Sequence, residues 1–129
     1  MTDCEILVLV DRLERCLLSN TEFRHQHHLM VAATYLYAAD LELAMNKMRA
    51  SLLRFSAHHG GTRYHETITR FWMLQAENHL DRNLCLCDSV QRVVAALADK
   101  DLVYQYYSRE LLASAQAKQT WVPPDLCAL

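Results

Sequence analysis

Apolar positions recur at intervals of three and four along most of this chain, with polar residues between them. That spacing is the signature of amphipathic helices. Thr2-Asp3-Cys4-Glu5 has the composition of a helix N-terminus, a capping threonine followed by acidic residues. Ile6, Leu9, Val10, Leu13, Cys16 and Leu17 then mark one face, opposite Asp11, Arg12, Glu14 and Arg15, and predict a first helix to about Leu18. Ser19-Asn20-Thr21 interrupts it. A second helix is expected from about Glu22 to Ala38, on the stripe Leu29, Ala32, Ala33 and Leu36 with Met30 and Tyr37 at its margins. Asp40 is a ready cap for a third, carried by Leu41, Ala44, Met45, Met48, Leu52 and Phe55 and stopped at His58-His59-Gly60-Gly61.

Thr62 is the expected cap of a fourth helix, from about Arg63 to Leu80, whose central stripe reads Tyr64/His65, Ile68, Trp72, Gln75 and His79. A fifth is predicted from about Cys87 to Ala98 on Val90, Val93, Val94 and Leu97. A sixth follows on Leu102, Val103, Tyr106, Tyr107, Leu111 and Leu112. Pro123-Pro124 ends helical structure, leaving an extended tail that Trp121 and Leu126 are expected to pin to the body.

The fold expectation is therefore all-α: a compact bundle of five to six mostly antiparallel helices with an extended, proline-containing C-terminal tail. A chain of 129 residues with 52% hydrophobic and 22% charged residues suits one globular domain over 1–129. Its two glycines and two prolines are too few for a many-turned β protein. The second and fourth helices are expected to face each other across the core. The unbroken apolar run Ile6–Val10 makes a homodimer through the first helix a further expectation.

Charge removes some function classes. A net charge of −2 without a Lys/Arg cluster counts against nucleic-acid binding, which needs a basic face. No apolar run approaches the ~18–20 residues of a membrane span, and the acidic start lacks a signal peptide's basic region. The expectation is a cytoplasmic protein that does not engage membranes. Cys4, Cys16, Cys85, Cys87 and Cys127 form no CxxC pair, and Cys85-Leu-Cys87 is one residue short of a zinc knuckle. They read as reduced thiols.

The unusual chemistry is histidine on core-facing stripes. Stepping back from Leu29 by three and four places His25 and His28 on the inner face of the second helix and sends His27 off it. With His65 from the fourth helix they could make a three-histidine site for one divalent transition metal, with zinc, iron and copper all compatible. Glu66 lies about 100° around the helix from His65, so it is either a distorted ligand or an orienting group. The metal-free alternative uses the same four residues, His25, His28, His65 and Glu66, for acid–base work or ligand binding. Tyr64, Thr69, Trp72, Gln75 and His79 would line that site, and Thr67 could join Tyr64 and Thr69 in donating to a bound anion. Purely structural hydrogen bonding is the third reading. No Gly-rich phosphate loop, HExxH or GxSxG occurs, so no nucleotide cofactor is expected.

Phe23-x-His25-x-x-His28-Leu29, Tyr64-His65-Glu66-Thr67-x-Thr69, Tyr107-Ser108 and Trp121-x-x-Pro124-Asp125-Leu126 together resemble a family of small uncharacterised bacterial helical proteins. The resemblance spans roughly Phe23 to Leu129. It implies that His25, His28, His65 and Glu66 act together, and it supplies no reaction. Two functions remain open: a small metal-dependent enzyme acting on a small molecule, and a non-catalytic helical module binding a small ligand or a partner protein.

Overall fold

A computed structural model describes residues 1–61 and 63–129. Among them every regular element is a helix: α1 (Asp3–Glu14), α2 (His25–Ala38), α3 (Leu41–His58), α4 (Glu66–His79), α5 (Leu86–Ala96), a 3₁₀ helix (Lys100–Gln105), α6 (Arg109–Ala113) and α7 (Ala115–Gln119). The all-α expectation holds, with eight helical segments in place of five or six. None is long and apolar enough to cross a membrane.

The helix ends follow local chemistry. At α1 the Thr2 hydroxyl accepts from the Glu5 amide at 3.2 Å, and the Glu5 carboxylate accepts from the Thr2 amide at 3.1 Å. Periodicity carries this helix to Leu18, but it stops at Glu14. Cys16 adopts φ 56°, and the amides of Cys16 and Leu17 fold back onto the carbonyls of Leu13 and Arg12. This is a Schellman closure with cysteine in the position glycine usually takes, so no breaker in the sequence announced it. The same closure ends α3 with the expected residue: Gly60, at φ 71°, bonds to Ala57 while Gly61 bonds to Ser56. The second helix begins three residues later than expected, because Ser19 and Glu22 cap each other in a separate turn. Thr62, the expected cap of the fourth helix, lies outside the described residues; the N-cap is His65.

The predicted sixth helix is three short ones. Ser108 and Ser114 interrupt it, and each turns its hydroxyl onto the amide three residues ahead to start a new helix, at 3.1 and 3.2 Å. The tail then returns to the body. Thr67, fully buried, donates to the Thr120 carbonyl and accepts from the Val122 amide. Asp125 accepts from both the amide and hydroxyl of Ser108, at 2.8 and 2.6 Å. Trp121 packs on the tail's small core, as expected, but the Leu126 side chain is exposed and only its backbone amide bonds, to Tyr106.

The main core gathers around α2, which packs against α1, α3, α4 and α5. Every residue from Val31 to Leu36 is buried, so α2 is covered nearly all round and its surroundings match a central helix. A second, smaller core joins Phe71 of α4 to Val103, Tyr107, Leu112, Ala117 and Val122. On α1, Ile6 and Val10 turn inward while Leu7 and Val8 face solvent.

One polar contact inside the main core joins three helices. The buried Tyr35 hydroxyl of α2 donates to Glu14 of α1 at 2.9 Å and meets the buried Ser51 hydroxyl of α3 at 2.8 Å. With the tyrosine proton directed to the carboxylate, Ser51 is the donor of the second bond. Burial pushes the phenol up to about 12, so it remains a donor at all ordinary pH. Tyr35→Phe should cost about 1–3 kcal/mol in urea unfolding, because it strands the Ser51 hydroxyl. Adding Ser51→Ala should recover most of the loss, since exposed Glu14 can turn to water; no recovery would argue against this account.

Candidate functional site

A cavity of about 460 Å³ opens between α2, α3 and α4, within the size range of small-molecule sites. Phe23, Phe55, Tyr64 and Trp72 supply aromatic walls, and Ala32, Met48, Leu52, Ile68 and Met73 supply aliphatic surface. The α3 stop closes one end through His59, Gly60 and Gly61. Among the described residues no Asp, Glu or Cys lines it. Most of the hydroxyl groups in its wall are already committed. Ser56 donates to the Gly61 carbonyl, Thr69 to the His65 carbonyl, and Tyr64 to the Glu66 carboxylate.

His28 differs from its neighbours. Its ring stacks on Phe23 with centroids 4.0 Å apart and makes no hydrogen bond to any described residue. No buried side-chain nitrogen or oxygen among those residues lacks a partner. His28 lines the cavity, and its imidazole nitrogens have no partner among the described residues. Protein hems the ring in closely, and this burial, reinforced by the neighbouring His25 and His27, lowers its pKa to about 4. At neutral pH His28 presents one N–H donor and one bare acceptor.

The other predicted residues do not converge on it. His25 is the first residue of α2; its Nε2 donates to the Leu97 carbonyl of α5 at 2.8 Å and its ring meets the edge of Trp72 at 4.6 Å. It does not line the cavity. His65 does, but both nitrogens are occupied. Nδ1 accepts from the Ile68 amide at 3.1 Å, capping α4, and Nε2 donates to the Leu112 carbonyl at 2.7 Å. A ring used this way has no lone pair left for a metal. The three histidines expected to share an ion are not within ligand distance of one another as a group; among the described residues only Asp3, Cys85 and Cys87 are. The inner face of α2 and the start of α4 do approach, as expected, yet nearby backbone groups claim two of the three imidazoles.

Glu66 faces away from the cavity. Arg49 of α3 grips it with two hydrogen bonds, Nε at 2.9 Å and Nη2 at 2.7 Å, and Tyr64 adds a third at 2.6 Å. The Arg49 guanidinium holds this carboxyl below the usual range, with Tyr64 assisting. An anion so held is a clamp between α3 and α4 and a poor proton donor. Of the remaining expected lining residues, Tyr64, Thr69 and Trp72 are in the wall, whereas Gln75 and His79 are not. His27, expected in solvent, is half-buried and accepts from the Arg24 amide at 3.1 Å.

His59 was readable only as an exposed helix end. It is half-buried, lines the cavity, packs edge-on to Phe55 at 4.6 Å and donates from Nε2 to the Leu18 carbonyl at 3.0 Å. The Gly60-Gly61 reversal turns it inward, and helical periodicity does not extend to a residue in that position. Asn20 and Arg63, both exposed, border the cavity from its polar side.

No protein-family model, curated protein or solved structure matches the chain.

The depressed pKa of His28 carries a signed consequence. Between its ordinary value of 6.5 and about 4 the unfolded chain takes up a proton that the folded imidazole refuses. Stability from this group is complete above pH 6.5 and falls as the pH drops through that window. His28→Phe keeps the stacking and removes the titration. The wild-type-minus-variant stability should thus decline from pH 7 to pH 4 by at most about 3 kcal/mol, less to the extent that solvent reaches the ring. Urea unfolding at five pH values measures it, and a flat difference would show that the folded ring titrates freely.

Proposed function

We propose that the protein is a binding module for a small, largely apolar molecule, neutral or anionic, held in the cavity between α2, α3 and α4. The observation that carries this reading is His28, which lines an aromatic-walled, largely apolar space and bonds to no other described residue. Few polar groups in an apolar cleft give orientation without a heavy desolvation cost, the usual construction of a ligand site. Flat aromatic walls favour a ring or planar chain, and the ligand needs one hydrogen-bonding group directed at His28. Arg63 at the border and the absence of lining carboxylates among the described residues favour neutral or negative ligands over cations.

The metal-dependent enzyme reading draws less support. His25 and His65 have given nitrogens to Leu97, Ile68 and Leu112, and Glu66 is bound to Arg49. Acid–base chemistry would rest chiefly on His28, whose low pKa makes it a weak base at neutral pH. Among the described lining residues no carboxylate or thiol stands ready to orient it or to act as nucleophile.

The test uses 1-anilinonaphthalene-8-sulfonate, an aromatic anion that fluoresces in apolar surroundings. Wild-type protein should bind one equivalent. Thr69→Trp fills the cavity from its wall and should abolish this binding while near-ultraviolet circular dichroism remains native. His28→Leu should weaken binding by about threefold to tenfold, the worth of one hydrogen bond. Undiminished binding by a natively folded Thr69→Trp protein would place the probe elsewhere and overturn the reading.

A further inference from the structure

We propose that Asp3, Cys85 and Cys87 form a mononuclear site for a thiophilic divalent cation of the zinc class, joining the start of α1 to the start of α5. One donor atom from each residue lies within 4.8 Å of the other two, an arrangement no other trio of His, Cys, Asp or Glu attains among the described residues. The two sulfurs are 3.4 Å apart. Two thiolates on one tetrahedral zinc, each at about 2.3 Å, stand about 3.8 Å apart, so a shift of a few tenths of an ångström completes the pair. Sulfur donors select against calcium and magnesium, which take oxygen ligands.

The spacing Cys85-Leu-Cys87 by itself lacks the reach of a zinc knuckle; the fold supplies the missing donor from Asp3, in the first turn of α1. Asp3 is held to the pair by a hydrogen bond from the Cys87 amide to its Oδ1 at 2.9 Å. Asp88 lies beside Cys87, its Oδ1 3.7 Å from the sulfur, and can fill the fourth position, as can water.

The support is fixed at both ends. The reciprocal Thr2–Glu5 bonds set the first turn of α1, which carries Asp3. The loop before Cys85 is tied down by Tyr37, which donates to the Leu84 carbonyl at 2.7 Å, and by Ser89, which accepts from the Asp81 amide at 3.1 Å. Cys85 is the N-cap of α5 and Cys87 lies in its first turn, so one helix start fixes both sulfurs. As the metal–sulfur bonds form, the two thiol protons pass to solvent. Cys85 and Asp3 are exposed and Cys87 half-buried, so a cation reaches the site without opening the fold.

The site shares no residue with the cavity, so its failure would leave the binding reading intact. The experiment titrates Zn²⁺, and Co²⁺ as a spectroscopic substitute, into the reduced, chelator-stripped chain. One equivalent of zinc should bind, and Co²⁺ should give thiolate-to-metal charge-transfer absorption in the near ultraviolet. Cys85→Ser/Cys87→Ser should lose both signals. Asp3→Asn should weaken zinc by on the order of tenfold or more, at least the cost of losing a group that merely supports a ligand. Cys4→Ser/Cys127→Ser, which removes the other exposed thiols, should bind as wild type. The proposal is overturned by the absence of a bound equivalent, by its retention in the double serine variant, by full affinity in Asp3→Asn, or by its loss in Cys4→Ser/Cys127→Ser.

Discussion

Four helices rest on α2, and they can do so because its flanks are small. Ala32 and Ala33 are buried to within 2% of complete, and Thr34 folds its hydroxyl onto the Met30 carbonyl of its own helix at 2.7 Å. A larger side chain at these positions would push a neighbour outward, and interiors packed at crystal-like density leave little slack for that. Covering the middle of this helix on nearly all sides also restricts the outlet to water for its polar groups. Tyr35 must therefore find Glu14 and Ser51, and His25 must find Leu97. The central position of α2 dictates the polar contacts around it.

The same constraint accounts for the histidines. A stripe of imidazoles on an inward face suggests convergence on one point when only angular positions are known. Backbone groups at helix ends compete for those nitrogens, and they are closer. His25 stands at the first residue of α2 and His65 at the cap of α4, the two places where orphan amides and carbonyls concentrate. His65 serves one helix terminus and reaches the Leu112 carbonyl near another; His25 serves the end of α5. His28, a turn further into α2, bonds to no orphan group among the described residues and lines the cavity.

The helical class, the first five helices and the core faces of α2, α3 and α5 were legible, because a 3.6-residue repeat of apolar positions reports directly on which side is buried. On α4 the expected stripe of Ile68, Trp72, Gln75 and His79 is only half-buried, and Thr67, Phe71, Met73 and Ala76 form the core face. Phe23, Leu29, Met48, Leu52 and Phe55 are buried, and all but Phe23 sit on stripes that the spacing marks. What stayed hidden was set by single residues at helix ends. Cys16 ends α1 at positive φ, Ser108 and Ser114 split one periodic stretch into separate helices, and the Gly60 reversal brings His59 inward. Periodicity averages over a window and cannot register a change made at one position. For the site, the approach of α2 and the start of α4 was readable. Which imidazoles remained free was not, since it depends on Leu97 and Leu112, carbonyls distant in sequence and unmarked by side-chain identity.

The two proposed sites differ in the way that burial and exposure would lead one to expect. The cavity lies between the helices that carry the main core, so its chemistry is a neutral ring kept neutral by its surroundings. A charged group placed there would need a partner, and the one carboxylate nearby has been drawn outward to Arg49. Charge is affordable only at the periphery, where the carboxylate of Asp3 and the thiols of α5 stand near water. A cation at that edge would cross-link the starts of α1 and α5 without entering the core, leaving the cavity to select ligands by shape and hydrogen bonding. Separating the charged chemistry from the apolar chemistry would let a chain of this size carry both without burying an unpaired ion.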